Sequence, residues 1–197
     1  VVDNPFGSLT FGLQLDDELV SARYAETYES RNTGALRWQW TSEFGEAHLA
    51  ICGVRPDIPE GMEVTDCTAA LWWIQAERRV ENWAISCRLE GLDPREAGAP
   101  CSGQGLDAQE WSNGKVSMTV GTQDMWAMLW YRNKGGLLPK RWTTEEWSRD
   151  PEMLSFVEYA PDGFVLKPPR LEPDEEVQFQ FVVAWANEPC GDIGPWY

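Results

Sequence analysis

Val177-Gln178-Phe179-Gln180-Phe181-Val182-Val183-Ala184-Trp185 is the stretch on which the reading of the fold turns. Large apolar side chains recur at every second position, from Val177 through Phe179, Phe181 and Val183 to Trp185. Glutamines or smaller residues fill the gaps. A period of two places one set of side chains on a buried face and the other on the opposite face, which is the pattern of a β-strand. β-branched and aromatic residues reinforce it.

The same pattern recurs along the chain. Leu9, Phe11, Leu13 and Leu15 alternate with Thr10, Gly12 and Gln14, and Leu36, Trp38 and Trp40 alternate with Arg37 and Gln39. Ala47–Val54 supplies a further apolar stretch, and Phe156–Tyr159 reads as a strand. Asn113-Gly114, between Trp111 and Val116, carries the strongest short signal for a hairpin turn. Asp162-Gly163 is a turn into Phe164-Val165-Leu166. Asp93-Pro94-Arg95-Glu96 reads as a capped single helical turn, with proline at its first position.

Two stretches admit more than one reading. Across Thr65–Gly91, Trp73, Ala76, Val80, Trp83 and Cys87 share one face of a helix. Alternatively, Trp72-Ile74-Ala76 and Trp83-Ile85-Cys87-Leu89 form two strands joined by a turn at Glu77–Glu81. Tryptophan and isoleucine favour strands and Arg78-Arg79 suits a loop, so the hairpin is the expectation. Gly121–Trp147 holds four of the twelve tryptophans and a basic cluster of Arg132, Lys134, Lys140 and Arg141. The run Trp126–Tyr131 is read as a strand, Asn133–Gly136 as a turn, and the remainder as a return segment with exposed aromatic and basic groups. Thr143 and Glu146 fit a capping box.

These elements give roughly nine to twelve strands and one or two short helices, a count typical of sandwiches and barrels. The expected fold is mainly β: a single domain over residues 1–197, an antiparallel β-sandwich or jelly-roll. The longest apolar runs fall far short of the roughly 20 residues a membrane-spanning helix needs. The start at Val1 is read as a processed or trimmed end.

A net charge of −16 repels phosphate backbones, so nucleic acid is not an expected partner. The same charge suits a basic protein partner. The five cysteines include no C-x-x-C pair and His48 is the sole histidine, so neither a zinc site nor any other cofactor is expected. Cys52, Cys67, Cys87 and Cys101 are close enough in sequence for two local disulfides; buried reduced cysteine is the alternative. Disulfides would suit a secreted or cell-surface protein.

Twelve tryptophans among 197 residues exceed what a core of this size usually holds. An exposed indole is costly unless it meets a ligand, and sugar rings stack on such faces. The expected function is therefore non-catalytic recognition of a carbohydrate or another ring-bearing ligand by surface tryptophans. Trp72, Trp126, Trp130, Tyr131, Arg132, Trp142 and Trp147 are the candidate ligand-binding residues. Trp72 is included because it and Trp73 must point to opposite faces of a strand. Two other classes stay open: an acidic protein-interaction module such as an inhibitor, immunity protein or capsid-like subunit, and a glycosidase. The latter needs a carboxylate pair, for which Asp124 and Glu158 are the candidates. No nucleophile elbow, Walker loop or dinucleotide-binding fingerprint is present.

Overall fold

A computed structural model describes residues 1–142, apart from 17, 22–23, 56, 58–63 and 104, together with residues 156–187. In chain order the strands are β1 (Val2–Asn4), β2 (Gly7–Leu15), β3 (Glu18–Leu19), β4 (Glu26–Glu29), β5 (Leu36–Ser42), β6 (Gly45–Gly53) and β7 (Asp66–Ala76). They continue as β8 (Trp83–Glu90), β9 (Ala99–Gly103), β10 (Leu106–Ser112), β11 (Val116–Gln123), β12 (Val157–Ala160), β13 (Gly163–Leu166) and β14 (Glu176–Asn187). One α-helix, α1 (Met125–Arg132), follows β11, and a 3-10 turn occupies Pro94–Glu96.

Two antiparallel sheets pack face to face as a β-sandwich. One runs β1-β2-β8-β13-β12, with β3 attached to β2; the other runs β4-β5-β6-β7-β14-β11-β10-β9. β14, the strand with the clearest alternation, lies in the middle of the larger sheet between β7 and β11. Its buried residues Val177, Phe179, Phe181 and Val183 pair with Ile74, Trp72, Ala70 and Thr68 of β7. The inner faces meet through aromatic contacts. Phe181 touches Phe11 and Phe164 at centroid distances of 5.4 and 6.3 Å, and Phe179 meets Trp83 at 5.8 Å. Five indoles are core residues: Trp40, Trp72, Trp83, Trp111 and Trp142.

The Asn113-Gly114 turn joins β10 to β11 as expected, with Gly114 at φ 76°, a conformation glycine adopts without a Cβ penalty. The Asp162-Gly163 turn joins β12 to β13. Asp93 caps the short helical turn, accepting a hydrogen bond from the Arg95 N–H at 3.0 Å.

Three expectations are corrected. First, β7 and β8 are strands, but they do not pair. They lie in different sheets, so the link between them is an arch across the core rather than a hairpin. Val80 in the arch bridges to Leu171, buried like Val80 itself. Alternation reveals that two segments are strands; it is silent on which neighbour each one chooses. Secondly, Trp126–Tyr131 is helical. Asp124 caps α1 by accepting from the Ala127 N–H at 2.8 Å, and Met125 and Met128, three apart, are the buried pair. The residues that mimic a strand at spacing two also satisfy a helix at spacings of three and four, and their methionine, leucine and alanine favour the helix. Gly135, at φ 96°, follows the helix end. The capping box at Thr143 lies outside the described residues.

Thirdly, Cys52, Cys67, Cys87 and Cys101 are free thiols. Cys87 faces the core of the smaller sheet between Phe11 and Phe164, whereas Cys101 is exposed on the edge strand β9. Cys52 pairs directly with Ala69, which leaves Cys67 diagonal to it, at a separation of about 7 Å typical of diagonal neighbours. Burial pushes the Cys87 thiol well above its usual range. Alkylation without reductant should therefore label all four cysteines in denaturant. In the native protein Cys101 should react first and Cys87 last. Mass mapping that found any two of the four joined would contradict this arrangement.

Candidate functional site

The pairing that puts Trp72 into the core turns Trp73 outward. Trp73 is half-buried and stands apart from the core cluster, which the half-buried Trp38 and Trp185 join. Successive ladders carry its row across five strands: Glu26 of β4, Gln39 of β5, His48 of β6, Trp73 of β7 and Gln178 of β14. Neighbouring strands are about 4.8 Å apart, so the row spans roughly 19 Å. On one side lies the row Tyr28, Arg37, Ala50, Leu71 and Gln180. On the other lie Thr41, Glu46, Gln75 and Glu176. The outer face of the larger sheet is thus a field of amides and charges around one indole.

Several of these side chains hold one another in place. The His48 ring lies 4.6 Å from the Trp73 ring, tilted by 57°. Arg37 contacts the His48 ring from the next strand. Gln39 donates to Glu46 at 2.8 Å, and Glu46 comes within 3.7 Å of the imidazole. Tyr28 donates its hydroxyl proton to Glu26, and that carboxylate raises the phenol pKa. Burial first, and then the Arg37 charge, lower the His48 pKa, against an opposing pull from Glu46. The imidazole is therefore neutral near pH 7, with capacity both to donate and to accept. Chemically, the face offers one flat apolar surface and planar donors and acceptors on both sides of it.

The structure disperses the residues singled out from sequence. Trp72 and Trp142 are buried, at 1% and 0% exposure. Trp72 stacks on Trp40 at 5.4 Å and Trp142 on Trp83 at 6.4 Å. Trp126 and Trp130 are exposed, at 58% and 64%, one helical turn apart on α1. Lys134 lies 5.5 Å from the Trp130 ring centroid. Tyr131 is half-buried on the same helix, and Trp147 lies outside the described residues. Arg132 is engaged locally, donating to the carbonyls of Pro139, Lys140 and Trp142. Arg141 donates to Glu175 at 2.8 Å. The basic cluster is thereby partly consumed in holding the segment after α1.

Asp124 and Glu158 are not brought together as a pair. Asp124 caps α1 beside the larger sheet, and Glu158, on the edge strand β12 of the smaller sheet, accepts from Lys167 at 2.6 Å. Among the described residues, no three or more histidine, cysteine, aspartate or glutamate side chains form a group suited to a metal ion. No described helix is long and apolar enough to cross a membrane. Sequence reasoning passed over Trp73, His48, Gln178 and Gln180. The adjacent tryptophans were the available signal, but which of the two faces outward depends on strand pairing.

No family model matches the chain, and no curated protein matches it. Among solved structures, a chain described as a kojibiose phosphorylase from human microbiome is similar, with a TM-score of 0.49 and 8% sequence identity. The match covers 93% of this chain and 22% of that one, so the present chain spans less than a quarter of that protein's length.

Two outcomes follow. Asp124→Ala should lower stability in urea unfolding by about 1 kcal/mol, the usual cost of an N-cap, and an unchanged midpoint would contradict the capping role. His48 has a folded pKa below its unfolded value, near 6.5. Its contribution to stability is therefore complete above that value and is lost as pH falls through the folded pKa. Between pH 7.5 and 5.5, on the order of one unit either side of the ordinary imidazole value, the protein should lose more stability than its His48→Asn variant. Equal losses would show that His48 titrates normally.

Proposed function

We propose that this protein binds carbohydrate on the outer face of its larger sheet, with Trp73 as the stacking platform. The single observation that carries the reading is an outward-facing, half-buried indole set among Gln39, Gln178 and Gln180. An apolar side chain on the outer face of an antiparallel sheet is ordinarily unfavourable unless something covers it. A sugar ring is apolar on its faces and rich in hydroxyls at its edge. The indole suits the face, while planar amides and the charged Arg37 and Glu46 suit the edge. The side-chain contacts among Arg37, His48, Glu46 and Gln39 hold part of this surface in place before ligand arrives, which reduces the ordering cost of binding. We read the face as a binding platform rather than as a site of turnover.

The test is calorimetric titration with a glycan panel, followed by variants. Trp73→Ala should weaken a bound glycan about tenfold, the scale of one well-placed aromatic contact, while leaving the unfolding midpoint nearly unchanged. The double variant Trp126→Ala, Trp130→Ala should bind as the wild type does. Full binding by Trp73→Ala, or loss confined to the helix variant, would move the site to α1. Failure of every glycan would end the carbohydrate reading.

A further inference from the structure

A second site lies away from this face, at the end of the sandwich where β2 turns into β3 and β5 turns into β6. A cavity of about 590 Å³ opens there, within the usual range for small-molecule sites. Its floor is apolar: Leu15, Trp40 and Phe44 line it and are each buried. The indole N–H of Trp40 is already committed to the Ser21 carbonyl at 3.1 Å, so the floor presents carbon rather than a free donor. Two lining side chains are unusually bare for their size, Leu19 at 70% and Tyr24 at 80% exposure. Both would lose water contact if a ring entered the cavity.

The charges at the rim determine what that ring should carry. Arg78 lines the cavity, but its guanidinium is bound to Asp16 at 2.8 Å and to the Arg79 carbonyl at 3.0 Å. Glu43, also lining it, has no side-chain hydrogen bond or ion pair among the described residues. The rim therefore has one carboxylate left over, on a chain whose net charge is −16. That field repels anions and concentrates cations. The Tyr24 ring adds a π face on which an ammonium group is stabilised.

We propose that this cavity binds a small organic cation bearing an apolar ring, the ring seated on Trp40 and Phe44 and the ammonium group held by Glu43 and the Tyr24 face. The site is independent of the carbohydrate face, and its success or failure leaves that reading untouched.

A matched set of ligands of similar size and different charge tests it: benzylamine, benzyl alcohol and benzoate, titrated into the whole chain by ligand-observed and protein-observed NMR. The amine should bind about threefold to fivefold tighter than the alcohol, the scale of one partly exposed charge pair, and benzoate should bind weakest. Glu43→Gln, at an exposed position in the β5–β6 turn, should bring the amine to the level of the alcohol and leave the alcohol unchanged. Tyr24→Ala should weaken both. Four results would overturn the proposal: no binding by any of the three, no preference for the amine, an amine preference that survives Glu43→Gln, or displacement of the amine by a neutral monosaccharide.

Discussion

The register of β14 on β7 is the constraint from which the rest of the molecule follows. Ten residues of each strand pair, from Glu176 opposite Gln75 to Trp185 opposite Asp66, at the centre of the larger sheet. Side chains alternate strictly across a strand, so this one alignment sends Trp72, Ile74, Phe179 and Phe181 inward and Trp73, Gln178 and Gln180 outward. A slip of one residue on either strand would drive glutamines into the core and aromatic rings into water. The burial of Trp72 and Ile74 on β7, and of Phe179 and Phe181 on β14, holds the register, and the outward face inherits its pattern as a consequence.

The core absorbs more tryptophan than its size suggests because the rings pack against one another. Trp40 stacks on Trp72, Trp83 on Trp142, and Trp83 lies edge-on to Phe179. Stacked and edge-on arrangements suit the ring quadrupole and fill the gap between the sheets with rigid groups. Trp142 reaches the interior from a segment that looks polar in sequence. Lys140, two residues before it, is exposed, and the Arg132 guanidinium bonds the carbonyls of Pro139, Lys140 and Trp142, which ties this segment to α1. A charged neighbourhood in sequence is thus compatible with a fully buried indole when backbone carbonyls satisfy the nearby cation.

The inner and outer faces differ in how they are stabilised. Inside, apolar area removed from water dominates. Outside, around Trp73, hydrogen bonds and a tilted imidazole–indole contact order side chains that remain in partial contact with solvent. Such interactions are individually weak, and they act together to order the face. The neutral state of His48 belongs to the same logic. Burial disfavours its charged form, and Arg37 alongside disfavours it further.

Most strands were legible in the chain because alternation is a local property. The repeating apolar positions of β2, β5 and β14, and the glycine turns at Gly114 and Gly163, follow from side-chain geometry and φ preferences alone. So does the excess of acid over base, with its preference for cationic over anionic company. Tertiary structure decided what depends on partners distant in the chain. It placed β7 and β8 in separate sheets, made a helix of Trp126–Tyr131, kept the four described cysteines apart, and turned Trp73 rather than Trp72 to the outside. Alternation specifies two faces for each strand; only pairing and burial, settled over the whole molecule at once, determine which face meets water.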